Sequence, residues 1–325
     1  MEVVGGADTS EVYRSFGIDQ VRGISDTYER LSISIATDND LLNALEQLPP
    51  IKRQPNLLFG AVRFLDGPIE EFDSFKSWTL RNWEEVSAVM RVRLTQTNEA
   101  ARCATLLPLL AMFPGPLALL EVGASAGLCL YPDRYQYQYG THRVGDSNSP
   151  LLLTCTTSGA VPIPNSVPEV VWRGGIDLNP LDLTNVSDFR WLESLVWPEH
   201  KERLANLRAA AGIVQSDPPH IVKGDLNDDL QALVNTVPSD ATLVIFHSAV
   251  LAYLTDSKRQ SFVQQVGRLR GHWISNEGSK VFPDISREVP ELPPGSPARF
   301  LMALDGRPMA WTAPHGQSIE WLSNL

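Results

Sequence analysis

Residues Leu117–Leu130 read Leu-Ala-Leu-Leu-Glu-Val-Gly-Ala-Ser-Ala-Gly-Leu-Cys-Leu. The apolar run ends at Glu121, small residues follow from Gly123 to Gly127, and apolar residues resume at Leu128. This order predicts a buried strand, a tight turn and the start of a helix, the unit that offers backbone N–H groups to a ligand. Small residues suit the turn because backbone must approach the ligand with no side chain between them. Spacing separates the candidate ligands. A dinucleotide-binding turn needs G-x-G-x-x-G, and counting from Gly123 puts Ser125 and Leu128 where the second and third glycines belong. The pattern is Glu-x-Gly-x-x-x-Gly instead, which disfavours a nicotinamide-dependent oxidoreductase. A capping turn in some other α/β protein would use the same residues.

Composition narrows the classes. A chain of 325 residues, 43% hydrophobic and 20% charged, has the make-up of an ordinary soluble globular protein with one large or two ordinary domains. Its net charge of −11 repels a phosphate backbone. No Lys/Arg cluster builds a local basic patch, so no nucleic-acid partner is expected. Cys103, Cys129 and Cys155 are odd in number, widely spaced and in apolar settings. They read as reduced thiols of a cytoplasmic protein. Neither an export signal nor an apolar run of spanning length is visible, so no membrane partner is expected. The six histidines are scattered and no Cys/His pairs have zinc spacing, so no metal is expected. Oligomeric state has no sequence signal.

Residues 1–115 read as helical. Asp38-Asn39-Asp40 suits the cap of a helix over Leu41–Leu48, and Pro55 the first turn of one through Leu65. Trp83, Val86, Met90 and Leu94 form one apolar stripe of a long helix. Asn98 or Thr97 is placed to cap the next, which carries Ala101, Ala104 and Leu107. Pro114-Gly115-Pro116 is the clearest break in the chain, and the domain boundary is expected there. Strands and helices then alternate. Strands are predicted at 117–122, from Val170, at His220–Val222, at Thr242–His247 and at Trp273–Ser275. Helices are predicted over Pro198–Ala211 with Gly212 as C-cap, over Leu226–Val237, and over Ser257–Leu269 capped by Asp256. Alternation of this kind implies crossover units and a mainly parallel sheet. Asp305-Gly306 between apolar runs signals a closing hairpin.

The Glu121–Gly127 motif resembles the first motif of class I S-adenosylmethionine (SAM) dependent methyltransferases, with the middle glycine replaced by Ser125. The implied fold is α/β: a Rossmann-like class I methyltransferase sheet, mainly parallel with a C-terminal antiparallel hairpin, at 116–325, preceded by an α-helical lid domain at 1–115. The chain also resembles an uncharacterised bacterial family known only as a domain of unknown function. The segments that carry this are Gln96–Glu99, Glu121–Gly127, Gly175–Pro180, Trp197–Leu204 and His247–Leu254.

In an open parallel sheet, ligands bind beyond the carboxyl ends of the strands. The methyltransferase resemblance implies that Glu121, Gly123, Ala124, Ser125 and Gly127 hold the methionine part of SAM. It implies that Asp177, followed by Leu178, takes the ribose hydroxyls, an ionised carboxylate accepting two charge-assisted bonds at once. Asp182 is the rival. Asp177 lies 50 residues beyond Gly127, against roughly 20 in the comparable dinucleotide unit. Residues 131–168 must then be an insertion; if Leu151–Cys155 were the second core strand instead, the ribose contact would be lost. Asp225 and Leu226 occupy the adenine position, or Asp225 caps a helix. His247 and Ser248 end the fourth strand, where the resemblance places substrate-facing residues. His247 is the candidate general base, although a lone histidine after an apolar strand is more often a satisfied core residue.

Gln96–Glu99, with Arg102, interrupts an apolar helical region. A cap explains two of the four residues. The functional reading is a lid that brings Asn98 or Glu99 to the substrate, close to the His247-Ser248 strand end, with Asn98 the candidate substrate contact and Glu99 the candidate catalytic residue. The absence of Asn-Pro-Pro-Tyr and of Pro-Cys counts against methylation of base amines or pyrimidine rings. The expected activity is therefore SAM-dependent methyl transfer to a small molecule. The alternative is a non-catalytic SAM- or nucleoside-binding sensor or scaffold of the same fold.

Overall fold

Asp8, Ser25 and Asp38 each cap a helix by accepting a backbone N–H from Ser10, Tyr28 and Leu41, which starts the helices Thr9–Ser15, Asp26–Ile35 and Asn39–Glu46. Pro55 occupies the first turn of the helix Pro55–Phe64, where its missing N–H costs nothing. Val86 and Met90 are fully buried on the helix Trp83–Val92, but Leu94 lies beyond its end and is exposed. The computed structural model describes residues 8–290, 292–293 and 296–322.

The chain divides into two compact units, one of them discontinuous in sequence. The helical unit takes the described residues up to Thr97 and also Thr184–Ala205. Within it the helix Val186–Leu195 meets Pro55–Phe64, and Gly60 lies in the contact. A Cβ there would stand 2.9 Å from Leu195 Cδ2 and 3.2 Å from the Trp191 ring. The divide falls between Thr97 and Asn98 rather than at 115/116. The reason is the helix Cys103–Leu110, every residue of which is buried. Its Ala104 carbonyl accepts the Tyr139 hydroxyl at 2.6 Å, a contact inside the sheet unit.

The sheet unit comprises Asn98–Leu183 and the chain from Asn206 onward. Its strands in chain order are β1 (Leu117–Val122), β2 (Gln136–Tyr139), β3 (His142–Val144), β4 (Leu152–Thr154), β5 (Thr156–Ser158), β6 (Val170–Asp177), β7 (His220–Lys223), β8 (Thr242–Ser248), β9 (His272–Gly278), β10 (Phe300–Leu304), β11 (Arg307–Thr312) and β12 (Ser318–Trp321). Nine of them form one sheet in the order β5-β12-β11-β10-β9-β8-β1-β6-β7, and β3-β2-β4 form a second. The five strands β7-β6-β1-β8-β9 run parallel, with β10, β11 and β12 antiparallel beyond them. Chain order thus moves outward in both directions from β1, so β1 and its neighbours bracket the crossover where such sheets take ligands. The Asp305-Gly306 hairpin is present, with both residues at positive φ as its two-residue turn requires.

Three sequence expectations change. The helix after Gly127 is a single 3₁₀ turn, Leu128–Leu130. Pro132 follows at once and biases Tyr131 away from helix. The second core strand, by contrast, is β6 as expected, because Leu152–Thr154 of the alternative pairs with β2 in the small sheet. Residues 131–168 are therefore an insertion, and Asp177 ends the strand beside β1. Gly212 lies inside the helix Lys201–Ser216 instead of capping it, and Thr255 instead of Asp256 caps Asp256–Val266.

Candidate functional site

The carboxyl edge of the parallel strands gathers most of the polar residues singled out above. β1 registers Glu121 against Gly175 of β6 on one side and Phe246 of β8 on the other. Ala118, Leu120 and Val122 of β1 share one core layer with Ile176, Leu243, Ile245 and Trp273. Side chains alternate along a strand, so Glu121 projects from the opposite face.

The turn after β1 holds Gly123, Ser125 and Gly127 at φ of 73°, 50° and 73°. Each of its N–H groups has a partner in the protein. Gly123 and Ala124 donate to Ile176 O (2.8 and 3.2 Å), and Gly127 to Ala124 O (2.7 Å). Ser125 donates to Asp177 Oδ2 (2.8 Å) and Ala126 to Asn98 Oδ1 (3.1 Å). Asp177 Oδ1 accepts Asn179 N–H at 2.7 Å. Asp177 thus welds the ends of β1 and β6 with one bond to each oxygen, and each ionised oxygen retains acceptor capacity. Leu178 beyond it is 65% exposed.

Asn98 does not cap the following helix. Its amide bonds Ser125 Oγ while its carbonyl takes Ala126 N–H, so it clasps the glycine turn. Glu99 is the capping residue, accepting Ala101 N–H at 3.3 Å. It is buried, and its Oε2 lies 4.0 Å from His315 Nδ1. Arg102 donates from Nε to Pro314 O (2.9 Å) and from Nη1 to Ser248 O (3.1 Å). The Asn98–Arg102 segment therefore runs from the glycine turn to the end of β8 inside one unit.

Glu121 is buried, and its Oε2 has no hydrogen-bond partner among the described residues. Burial pushes its carboxyl well above the usual carboxylate range. The nearby Cys129 adds to this and the Arg102 guanidinium opposes it.

His247 and Ser248 face opposite sides of the sheet. His247 is fully buried between Glu277 Oε1 (2.7 Å from Nδ1) and the Trp273 indole, whose N–H donates to Nε2 at 3.0 Å. An indole can only donate, so Nε2 is the acceptor nitrogen and Nδ1 carries the proton. Glu277 Oε1 also accepts Val250 and Leu251 N–H, at 2.9 and 3.0 Å. His247 and Glu277 thus brace the turn after β8, and neither ring nitrogen is left for a substrate. Ser248 joins Asn276 (3.3 Å), which in turn takes the Thr312 hydroxyl (2.8 Å). The next residue, Ala249, has φ 58°.

Asp225 closes the turn after β7. It accepts Asn227 N–H at 2.8 Å and lies 3.2 Å from Lys258 Nζ. Those two contacts, the backbone one first, hold its carboxyl below the usual range. Leu226 packs against the core layer of Ala118 and Leu120.

Sequence reasoning missed Glu277, Asn276 and His315, and noted Arg102 without a role. A carboxylate inside the run Trp273-Ile274-Ser275-Asn276-Glu277 was the available signal for the first. Among the described residues, no cluster of three or more His, Cys, Asp or Glu side chains is placed to hold a metal, and no helix is long and apolar enough to cross a membrane.

None of the curated proteins matches the chain. A family model does match, over residues 66–321, from just before the helix Phe72–Arg81 through the end of β12. The chain belongs to the bacterial family described as "Uncharacterized protein conserved in bacteria (DUF2332)".

Proposed function

We propose that this protein binds SAM at the carboxyl ends of β1 and β6, on a class I methyltransferase-type sheet, and methylates a small-molecule acceptor. One observation carries the reading. Glu121 and Asp177 close adjacent parallel strands around a turn held at positive φ, and a buried Glu121 oxygen has no hydrogen-bond partner among the described residues. A left-handed conformation costs a non-glycine residue roughly 1–2 kcal/mol. Ser125 and Ala249 both adopt it, on neighbouring turns of this edge, and strain of that kind concentrates at ligand sites.

In this reading Asp177 takes the ribose hydroxyls with its remaining lone pairs, and exposed Leu178 lies along the base. Asp225 and Leu226 form the adenine side. Glu121 and the Gly123–Gly127 turn form the wall beside the methionine end. Bound SAM supplies an activated methyl group, and in-line transfer asks the protein chiefly for positioning. Asn98 and Ser248 orient the acceptor, and Glu99, beside His315, accepts its proton. His247 has a supporting role.

The second reading, a SAM or nucleoside binder without turnover, gains from the turn itself. All five N–H groups from Gly123 to Gly127 are engaged within the protein. Calorimetry with SAM, S-adenosylhomocysteine and NAD separates the cases. Binding of the first two without NAD supports the SAM site. Transfer of label from methyl-tritiated SAM to a small-molecule extract then supports the enzyme, and binding without transfer supports the sensor. Failure of SAM and S-adenosylhomocysteine to bind overturns both.

A further inference from the structure

Arg102 is anchored for a purpose that its protein contacts leave unfinished. Nε and Nη1 are held by the carbonyls of Pro314 and Ser248, so the planar guanidinium has a fixed orientation at the end of β8. Nη2 has no hydrogen-bond partner among the described residues, and the side chain is only half-buried. A guanidinium held on two sides with its remaining N–H groups open is preorganised for a planar anion, and a carboxylate is the natural match. Preorganisation matters because the rotamer entropy of the side chain is already spent on the two carbonyls.

A second observation sets what kind of carboxylate. Ser248 is two residues beyond Phe246, the β8 residue in register with Glu121. The unpartnered Glu121 Oε2 thus belongs to the adjoining strand end, on the sheet face that Ser248 shares and His247 does not. Asn98, four residues before Arg102, binds the glycine turn that follows Glu121. One edge therefore presents a fixed cation and a buried carboxyl oxygen that has no partner among the described residues. That is the complement of an α-amino acid, whose carboxylate and ammonium leave the same carbon.

We propose that Arg102 binds the α-carboxylate of the amino-acid end of SAM, with Glu121 Oε2 accepting its ammonium. This rests on the SAM reading above and assigns a recognition residue outside the glycine turn.

The test compares SAM with decarboxylated SAM, which keeps the sulfonium, the nucleoside and the amine and lacks only the carboxylate. Calorimetry on the full-length wild type should show SAM binding at least tenfold tighter, the range of one charge-assisted hydrogen bond. Arg102→Gln should bring the two affinities together by weakening SAM alone, a change of ratio that general damage to the fold does not produce. Arg102→Lys, retaining charge without the fork, should keep part of the preference and serves if the glutamine variant does not fold. Equal wild-type affinities would overturn this inference and leave the SAM site standing. A preference that survives at Arg102→Gln would likewise remove Arg102 from it. If neither compound binds, the SAM reading fails and the inference falls with it.

Discussion

Val250 packs against the bare α-carbon of Gly123: a Cβ built on Gly123 overlaps Val250 Cγ2. The contact joins the turn after β1 to the turn after β8, and Val250 N–H is itself held by Glu277. Glycine at this position is therefore required by the protein's own packing as well as by a positive φ.

Gly123→Ala should accordingly cost about 2–3 kcal/mol, the sum of a left-handed alanine and an overpacked contact. Adding Val250→Ala should return the overpacking part and leave roughly 1 kcal/mol. Urea unfolding measures both. A double variant as unstable as the single one would show that Val250 is not the constraint.

Adjacent residues 247 and 248 should behave in opposite ways. His247→Phe takes one of three donors from the buried Glu277 Oε1 and leaves the Trp273 indole N–H without its acceptor, and should destabilise by about 2–4 kcal/mol. Ser248→Ala loses one long bond to Asn276, roughly 0.5–1.5 kcal/mol, and its main effect should fall on acceptor use. Equal stabilities of the two variants in chemical denaturation would contradict the placement of their side chains.

Asp177→Asn should both loosen the turn and weaken SAM binding. An amide has one acceptor oxygen where the carboxylate has two, so either Ser125 or Asn179 N–H loses its bond, at about 1–3 kcal/mol. SAM affinity should drop at least tenfold, whereas Asp182→Asn should change it little. Paired thermal-melt and calorimetric measurements check each half, and the opposite ranking would shift the ribose site to Asp182.

Glu121 predicts a pH slope. Its folded carboxyl titrates well above the 4.5 of an ordinary glutamate, so the folded state holds its proton more tightly than the unfolded chain. Below 4.5 both states are protonated and the group contributes no penalty. As pH rises from 4.5 towards the folded value, the unfolded chain ionises first and stability falls. Glu121→Gln, which cannot ionise, should gain on the wild type as pH increases from 5 to 8. A stability difference independent of pH over that range would count against the buried carboxyl.

Much of this edge was legible locally. The strand, turn and flanking acids at Glu121–Gly127 and Asp177 are contiguous patterns, and the Asp305-Gly306 turn is set by two residues. The expectation that His247 and Ser248 face one ligand neglected the two-residue period of a strand, which sends neighbours to opposite faces. The expected helix after Gly127 overlooked Pro132. What lay beyond local reading was the set of long-range partners. Arg102 bonds carbonyls 146 and 212 residues away, and His247 meets a glutamate 30 residues on through the β8–β9 pairing. No periodicity within either segment encodes those distances.

The return of Thr184–Ala205 to the helical unit bears on the order in which the protein is made. A ribosome delivers Pro55–Phe64 early, but Trp191 and Leu195, which cover Gly60, emerge only after β1 to β6 have been synthesised. The amino-terminal helices must wait with an uncovered apolar surface while the first strands of the other unit appear. Vectorial synthesis therefore makes this early-made part of the chain wait for residues 184–205 before its packing is complete, and transiently exposed apolar surface of that kind is what favours aggregation.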